Sequence, residues 1–432
     1  MFVICLVVDS SNSLSADISI TTIKHVWYIY YTFSKTLIIQ NCWYNKVYSC
    51  AFNICCFMKF LFIVQGEGRG HLTQAITLEE ILLRNGHEVV EVLVGKSSSR
   101  RLPGFFNRSI HAPVKRFVSP NFTPTPANKR VSLIRSVACN LVKLPVYMNS
   151  IRYIFQRIEA SEADMVINFY ELLTGFTYLL FRPSVPQVCI GHQYLFLHKD
   201  FEFPRVGKLN VALLKFFTRL TAIGARERLA LSFRVMKDDD KCHIRVVPPL
   251  LRREVLLYES CKGDYVHGYM VNSGFGENIM EWHKKHPDIP LHFFWDKWEE
   301  EPVKKVDDTL TFYQLDDVEF LRQMAGCKAY ASTAGFESIC EAMYLGKPIM
   351  MVPAHIEQDC NAYDASLSGA GIVSNDFELE RLLEFAETYE PRREFVYWVR
   401  RGEYLLLDLL QKNAAGYSQT LFNEMYLVEE FI

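Results

Sequence analysis

Apolar and polar positions alternate between two patterns after residue 58. Residues 60–65 (FLFIVQ) form a continuous apolar run, which is typical of a strand buried on both faces. The glycine-rich segment GEGRGH follows, and residues 72–85 then carry apolar side chains at helical spacing until Gly86. Residues 89–94 are apolar again. The order strand, helix, strand predicts a β-α-β unit that opens a parallel sheet.

The same alternation recurs along the chain and predicts a second sheet. Further strands of the first sheet are predicted at residues 163–170, 185–190 and 246–251. Two adjacent prolines in the last of these suit a link between domains. The strand and glycine-loop pattern restarts at residues 269–276, and later strands are predicted at residues 291–295, 309–313, 329–332 and 349–352. The chain therefore has the pattern of an α/β protein with two sheets.

Residues 1–57 do not share this pattern. They contain only five charged side chains, no basic segment precedes the apolar run at residues 2–8, and no clean small-residue cleavage site follows it. Their apolar stretches fall short of the ~20 residues that a membrane span needs. Met58 then opens MKFLFIVQGEGRGH, which resembles the true start of a chain. We therefore expect residues 1–57 to be a dispensable N-terminal extension.

Charge divides the chain into a basic half and an acidic half. Residues 58–250 hold 27 Lys and Arg against 15 Asp and Glu, whereas residues 251–432 hold 17 against 32. The two halves either attract each other through solvated faces, or the basic half meets an anionic partner. Residues 129–157 and 208–234 mix cations with apolar side chains. Such segments are either ordinary helices with solvated cations or helices that lie on an anionic membrane.

Several classes of site are disfavoured by spacing. The twelve cysteines lack the C-x-x-C pairs and the Cys/His spacing of a zinc site, so we expect no metal and mostly free thiols in a reducing cytoplasm. The glycines of GEGRGH do not match the dinucleotide fingerprint G-x-G-x-x-G. The segment GKS at residues 95–97 lacks the rest of a phosphate-binding P-loop. Nothing in the sequence predicts a nucleic-acid partner.

Three polar groups are predicted at the carboxyl edge of the first sheet, where ligands of open α/β sheets gather. His71 begins the first helix beside Gly70, and a helix N-terminus favours the neutral imidazole that a general base requires. The alternative is a histidine that only caps the helix. Glu171 lies just past the strand at 163–170 and is the candidate carboxylate partner of His71. His192 follows the strand at 185–190.

A second polar cluster follows the predicted strand at residues 329–332. Ser332 and Thr333 lead through Gly335 into a helix whose first turn contains Ser338. Backbone N–H groups and hydroxyls at a helix start suit a diphosphate, and glycine permits close backbone approach. Glu341 lies further along this helix, where its two oxygens can accept from a ribose diol. A carboxylate facing a diphosphate is unfavourable, so we expect the Glu337 side chain to point outward as a helix cap.

More polar residues follow the next strand and the second glycine loop. Glu357, Gln358 and Asn361 come after the strand at 349–352, and their groups suit sugar hydroxyls. Gly274 lies in the glycine loop that follows residues 269–272. We therefore expect these residues to complete a ligand site around Gly335.

These motifs resemble those of a known family. The segments S-T-A-G-F-E-S-I-C-E, G-K-P and E-Q-x-x-N-A resemble the donor-binding motif of nucleotide-sugar glycosyltransferases with the GT-B fold. In plant secondary-metabolite transferases the pattern is T-H-C-G-W-N-S-x-x-E, G-x-P and D/E-Q-x-x-N-A. The opening GEGRGH, with its helix and G-H-E, resembles the lipid-linked peptidoglycan disaccharide transferase and the diacylglycerol glycosyltransferases. The resemblance covers roughly residue 58 to the C-terminus.

The resemblance implies an architecture of two facing Rossmann-like domains with a cleft between them. Residues 58–250 would form the acceptor-side domain, residues 251–394 the nucleotide-sugar-binding domain, and residues 395–432 the helices that return toward the first domain. Family roles place the diphosphate at Gly335 and Ser338, the ribose at Glu341, and the sugar at Glu357 and Gln358. Thr333 and Glu337 depart from the plant pattern, where His and Asn stand. His71 would be the base that activates the acceptor.

The resemblance also implies a reaction. We expect a hexosyltransferase that moves a sugar from a nucleotide donor, with UDP favoured, to an acceptor hydroxyl with inversion and without a metal. The donor is a co-substrate, and no cofactor is expected. The acceptor is expected to be a lipid, a lipid-linked saccharide or another glycan, at the cytoplasmic face of the cell membrane. The alternatives are a non-catalytic sugar-nucleotide-binding partner, a nucleotide-sugar epimerase and a phosphorylase of the same fold.

Overall fold

The computed structural model describes residues 57–97, 102–120, 143–270, 273–295, 297 and 300–414. Both sheets belong to one compact unit that begins at Phe57. The predicted extension at 1–57 lies outside the described residues except for its last residue. The same holds for residues 129–142 of the first basic segment, for residues 271 and 272 at the end of one predicted strand, and for residues 415–432 of the C-terminal segment.

The first sheet has seven parallel strands in the order β3-β2-β1-β4-β5-β6-β7. Its strands are β1 (Lys59–Gln65), β2 (Glu88–Lys96), β3 (Val114–Val118), β4 (Met165–Phe169), β5 (Gln187–Ile190), β6 (Ala225–Leu231) and β7 (Ile244–Val247). The interior of β1 is fully buried, as its continuous apolar run predicts.

Five α-helices accompany the described part of this sheet. They are α1 (Arg69–Arg84), α2 (Gly104–Ser109), α3 (Leu144–Ala160), α4 (Leu172–Phe181) and α5 (Lys208–Thr221). A short 3-10 helix, His192–Leu197, follows β5. Helix α1 begins three residues earlier than predicted, so His71 lies inside its first turn. Gly86 has a φ of +80°, which suits the turn after this helix.

The second sheet also has seven strands, in the order β10-β11-β9-β8-β12-β13-β14. Only β10 is antiparallel to its neighbour. The strands are β8 (Val266–Met270), β9 (Leu291–Trp295), β10 (Val303–Lys305), β11 (Leu310–Gln314), β12 (Ala329–Ser332), β13 (Ile349–Met351) and β14 (Gly371–Val373). The helices are α6 (Arg253–Leu257), α7 (Gly276–Lys285), α8 (Asp317–Gly326), α9 (Phe336–Tyr344), α10 (Ile356–Leu367) and α11 (Leu379–Thr388).

The last two helices of the described residues return to the first sheet. They are α12 (Arg393–Arg400) and α13 (Gly402–Asn413). The indole Nε1 of Trp398 donates to the carbonyl of Ser232 at 3.0 Å, just past the end of β6. Glu403 pairs with Arg84 at the end of α1, with 2.6 Å between the charged atoms. The chain thus crosses from the second sheet back to the first.

Two largely parallel sheets with flanking helices confirm the predicted α/β fold class. Residues beyond their carboxyl edges contact each other: Gln74 on α1 donates to Glu337 on α9, and Gln193 donates to Glu357 on α10. The two carboxyl edges therefore face each other across the cleft. We refer to the two halves as the first lobe and the second lobe.

One basic segment differs from the sequence-based expectation. Residues 208–234 form the helix α5 and then the strand β6, rather than one amphipathic segment. Gly224, with a φ of +79°, lies in the turn between them. The second half of this segment is therefore part of a sheet, and only α5 remains as a cationic helix.

Candidate active site

The tight loop between β1 and α1 places His71 at the centre of the cleft. The backbone N–H of Gly66 donates to the carbonyl of Gly95 at 2.7 Å. A Cβ on Gly66 would lie 2.6 Å from Cγ1 of Val94, so this crossing of two strands requires glycine. The chain then enters α1 within three residues, and the ring of His71 is buried in its first turn.

Two glutamine amides hold the ring of His71 from opposite sides. Its Nδ1 lies 3.2 Å from Oε1 of Gln74, and its Nε2 lies 3.1 Å from Nε2 of Gln193. The ring also stacks on Tyr170, with 5.6 Å between the centroids. A carbonyl oxygen accepts and an amide N–H donates, so this network assigns the proton to Nδ1 and the lone pair to Nε2.

The environment of His71 favours its neutral form. Burial lowers the pKa of His71 from 6.5 to about 4, and the neighbouring His192 adds to this effect. An imidazole of this pKa is neutral at physiological pH. The neutral ring, with its lone pair on Nε2, has the properties that a general base needs.

Glu357 is an ionised carboxylate that interacts electrostatically with this ring. Its Oε1 accepts from Nε2 of Gln193 at 3.1 Å. Nε2 of His192 lies 3.2 Å from the same oxygen, although not in hydrogen-bonding alignment. Burial alone would raise the pKa of Glu357, but His192 and the other nearby histidines lower it to about 2.

The Glu337 side chain reaches across the cleft. Its Oε1 accepts from Nε2 of Gln74 at 2.6 Å, and its Cγ lies 3.3 Å from the position that a Cβ on Gly70 would take. Burial raises the pKa of Glu337 to about 8. The prediction that this side chain points outward is wrong, because the first lobe supplies an amide donor that compensates its burial.

The turn between β12 and α9 is strained and closely packed. Ala334 has a φ of +55°, in the left-handed region that non-glycine residues rarely adopt. Thr333 is buried, and its N–H donates to the carbonyl of Tyr269 at 3.2 Å. Tyr170 on the opposite lobe also has a positive φ, of 60°. Strain of this kind persists where the surroundings enforce it, and it clusters at functional sites.

Gly335 caps α9 and leaves space on its open side. Its φ is −69°, and a Cβ there would meet only Oγ of Ser338, at 3.6 Å. Oγ of Ser338 donates to the carbonyl of Gly335 at 3.2 Å and lies 3.4 Å from Oγ of Ser332. Gly274 is exposed after β8, which pairs with β12. These residues share one sheet edge, as the sequence predicts.

Two predicted donor residues support the backbone of this edge. Oε1 of Gln358 accepts from the N–H of Ala354 at 2.8 Å, in the loop before α10. Nδ2 of Asn361 donates to the carbonyl of Ala334 at 3.4 Å. Both side chains are buried. Asn361 therefore lies beside the turn at Gly335.

Glu341 is buried against an arginine that the sequence did not single out. Nε and NH2 of Arg252 lie 2.7 and 2.6 Å from Oε1 of Glu341. NH1 of Arg252 also lies 3.5 Å from Oδ1 of Asp317 at the start of α8. Burial raises the pKa of Glu341, and the guanidinium counteracts this rise. Arg252 lies five residues past the end of β7 and directly before α6, so this contact fixes the link between the lobes to the second lobe.

The comparisons with known proteins agree with this geometry. The family model described as "Glycosyl transferase family 1" matches residues 58–389. The chain belongs to this family. It is a glycosyltransferase, which favours the transferase over the binding protein, the epimerase and the phosphorylase. A search of curated proteins finds no significant match.

Solved structures similar to this glycosyltransferase share its two-sheet architecture. The glycotransferase of kitacinnamycin superposes with a TM-score of 0.56 at 14% identity, over 83% of this chain and 100% of that one. Arabidopsis thaliana UGT89C1 complexed with UDP-L-rhamnose gives 0.53 at 15%, over 82% and 98%. Phytolacca americana UGT2 complexed with UDP-2fluoro-glucose and pterostilbene gives 0.51 at 12%, over 82% and 95%. At these identities the likeness concerns the fold, and it confirms the predicted GT-B class.

Glu171 and His192 have different neighbours in the glycosyltransferase. Glu171 caps α4, and its Oε1 accepts from Oγ of Ser119 at 2.6 Å and from the N–H of Leu173 at 3.1 Å. Burial raises the pKa of Glu171 to about 7. Its described hydrogen bonds do not include His71. The ring of His192 instead lies in the cleft, stacked on Phe336 with 4.4 Å between the centroids.

Three residues of this site escape sequence reasoning. Gln74 lies three residues after His71, and this spacing on a helix was an available signal that the two side chains meet. Gln193 and Arg252 gave no such signal, because a single polar residue in a sequence does not reveal what it faces. Among the described residues, no cluster of His, Cys, Asp and Glu could hold a metal ion. No described helix has the length and apolar character to cross a membrane.

Proposed function

We propose that this glycosyltransferase moves a sugar, with inversion, from a nucleoside diphosphate donor to an acceptor hydroxyl, with His71 as the general base. UDP is the nucleotide that we favour. The observation that carries the proposal is the position of His71. A neutral ring with an unprotonated Nε2 lies in the cleft between the two lobes, beside the first turn of α9.

The donor would lie along the second lobe. The diphosphate would take hydrogen bonds from the N–H groups at the start of α9, next to Gly335 and Ser338. Nε and NH2 of Arg252 both contact Oε1 of Glu341. The other oxygen, Oε2, would therefore accept hydrogen bonds from the ribose hydroxyls. A cavity of about 180 Å³ has Arg252 in its wall, and we place the nucleobase there. The cavity is lined in part by Ile76, Tyr258, Asp317 and Leu321.

The sugar would then lie between Glu357 and His71. The acceptor hydroxyl would replace the amide N–H of Gln193 at Nε2 of His71. As its oxygen forms a bond to the anomeric carbon, its proton passes to Nε2 and the bond from that carbon to the phosphate oxygen breaks. The negative charge of the leaving diphosphate would be stabilised by the amides of α9, which act without a bound metal.

Helix α5 supports a lipid or lipid-linked saccharide as acceptor at the cytoplasmic face of a membrane. It contains the cations Lys208, Lys215 and Arg219 and has no acidic residue. Leu209 is 71% exposed and Phe216 is 58% exposed. Apolar side chains flanked by cations suit the surface of an anionic bilayer.

The buried face of α5 connects this surface to the site. Oγ1 of Thr218 lies 2.8 Å from the hydroxyl of Tyr170, and Tyr170 stacks on His71. A lipid bound at α5 would therefore have its headgroup close to the cleft.

A donor panel tests the proposal. UDP-, GDP- and TDP-sugars would be compared by thermal shift, because a ligand that binds only the folded state raises its melting temperature. We expect UDP-sugars to give the largest shift in wild-type protein and a smaller shift in Gly335→Ala. The anomeric configuration of the product would then be read by NMR, and retention would contradict the single inverting displacement.

A further inference from the structure

The amide of Gln74 links the catalytic ring to the opposite lobe. Its Oε1 faces Nδ1 of His71 at 3.2 Å, and its Nε2 donates to Oε1 of Glu337 at 2.6 Å. Gln74 is buried, so both ends of its amide depend on these partners. Glu337 belongs to α9 of the second lobe, whereas His71 and Gln74 belong to α1 of the first.

Glu337 determines which way this amide points. A carboxyl oxygen accepts a hydrogen bond, so the NH2 end of Gln74 must face Glu337 and its carbonyl must face the ring. The carbonyl can only accept, which requires the proton of His71 to be on Nδ1. A protonated carboxyl group can also donate its O–H, which would let the carbonyl of Gln74 face Glu337. Burial raises the pKa of Glu337 to about 8, so Glu337 enforces this orientation fully only when it is ionised, above that pH.

The other side of the ring leads independently to the same tautomer. Gln193 Nε2 lies 3.1 Å from both His71 Nε2 and Glu357 Oε1. Its own Oε1 is buried and has no hydrogen-bond partner among the described residues. Turning the amide over would place that oxygen against the carboxylate of Glu357. The NH2 group therefore stays between Glu357 and the ring, and Nε2 of His71 must accept.

This arrangement matters because the tautomer decides whether the ring can act as a base. Without Glu337, the amide of Gln74 is free to turn over and to donate to Nδ1. Gln193 alone would then hold the tautomer, and once the acceptor hydroxyl replaces its amide at Nε2, part of the population would carry the ring proton on Nε2, where no lone pair remains for that hydroxyl. Both carboxylates that orient the glutamines come from the second lobe. The correct tautomer is therefore enforced only while the lobes are together.

We propose that Glu337 and Gln74 are positioning residues that fix the tautomer of His71 across the cleft. The proposal rests on the proposed role of His71 as the base, and it adds a coupling between cleft closure and base competence. Glu337 acts through Gln74 and does not itself accept the proton. A glycosyltransferase built this way has its base set correctly only while the donor lobe is in place.

The test reads the tautomer directly, by ¹⁵N NMR of the imidazole. The signals of His71 would be assigned by their loss in His71→Gln. We expect wild-type protein to show a protonated Nδ1 and an unprotonated Nε2. Glu337→Ala and the near-isosteric Gln74→Met should each add a population with the proton on Nε2. Glu337→Gln keeps an accepting oxygen but adds an NH2 donor, so it should add a smaller population of this kind than Glu337→Ala.

Kinetics provide the second measurement. We expect Glu337→Ala to lower kcat about tenfold, a part of the ~10²–10⁴-fold that a general base supplies, while the KM for the donor changes little. Glu403→Ala removes another contact to α1, remote from Gln74, and serves as the matched control with unchanged kcat. Thermal unfolding of each variant confirms that it is folded.

Two results would overturn the proposal. One is a wild-type ring with its proton on Nε2. The other is an unchanged tautomer in both Glu337→Ala and Gln74→Met. The NMR measurement needs no turnover, so it judges the coupling separately. Full activity of His71→Gln would instead refute the proposed function.

Discussion

The burial of His71 sets the pH range in which we expect the enzyme to be active. Its pKa is lowered to about 4, mainly because burial disfavours the charged ring. A base must be unprotonated, so kcat/KM should fall only as the pH approaches 4 and should be independent of His71 protonation above that range.

The corresponding experiment compares wild-type protein and His71→Gln across this pH range. We expect the substitution to lower kcat/KM by ~10²–10⁴-fold and to remove the acidic limb assigned to this group. Circular dichroism at each pH separates acid unfolding from titration. A limb centred near the ordinary pKa of 6.5 in the folded protein would contradict the structural environment described here.

Gly335 allows donor binding to be separated from folding. An added methyl group would lie 3.6 Å from Oγ of Ser338, which is an ordinary contact, and its φ of −69° suits alanine. We expect Gly335→Ala to change stability by no more than ~0.5 kcal/mol. The methyl group would stand where the diphosphate approaches, so we expect the KM for the donor to rise about tenfold, which corresponds to ~1.4 kcal/mol.

Gly207→Ala is the matched control for this substitution. Gly207 also caps a helix, with a φ of −59°, and its added Cβ would also find its nearest atom at 3.6 Å. It lies on the first lobe, before α5. Equal effects of the two substitutions on donor KM would argue against a diphosphate at Gly335.

At the scale of elements, α5 is the part of the fold that we expect to meet a membrane. Wild-type protein should float with anionic vesicles and dissociate as salt is added, because screening weakens the attraction of Lys208, Lys215 and Arg219. The double substitution Leu209→Ser and Phe216→Ser should abolish flotation without lowering the melting temperature. Both side chains are largely exposed in the folded protein, so their loss removes little packing.

Neutral vesicles and a second substitution complete this test. Leu257→Ser removes another exposed leucine, on α6 of the second lobe, and should float like wild-type protein. Flotation that persists in the α5 double variant, or that does not change with salt concentration, would contradict membrane binding by α5. It would indicate that α5 is an ordinary helix with solvated cations.

The elements near the site show what a sequence pattern can and cannot predict. The sequence predicts the strand at Ala329–Ser332 and the turn into α9 at the positions where the structure has them. A buried strand, a glycine and an amphipathic helix each leave a local signal. The strand β6 was missed within a cationic segment. Its pairing with β5 and β7 is a tertiary contact that overrides the charge pattern.

The predicted direction of the Glu337 side chain is wrong for a related reason. Its predicted outward orientation followed from the cost of burying a carboxylate near a diphosphate. The amide of Gln74, 263 positions away in the chain, removes that cost. The pairing of Gln193 with His71 is equally remote, at 122 positions. Such contacts depend on the meeting of two lobes, which no local pattern encodes.

In the whole molecule, Arg252 holds the link between the lobes to the second lobe through Glu341 and Asp317. Arg252→Met should lower the free energy of unfolding by about 3 kcal/mol, because it leaves the buried carboxylate of Glu341 without its cation. Glu341→Gln in the same background should recover part of this loss, since no charge is then left unpaired.

Chemical denaturation of the two single variants and the double variant measures this coupling. Lys412→Met removes an exposed pair with Asp408 and should change stability by less than ~1 kcal/mol. Strictly additive effects of Arg252→Met and Glu341→Gln would show that the two side chains do not interact in solution.

A crystal structure of the protein with UDP bound tests the proposed donor site most directly. We expect the diphosphate to lie within hydrogen-bonding distance of the backbone N–H groups at the start of α9, beside Gly335 and Ser338. The ribose should contact Glu341, and the terminal phosphate should point toward the space beside His71. A diphosphate bound anywhere else in the cleft, or with its terminal phosphate directed away from His71, would contradict the proposed donor site and the proposed role of His71.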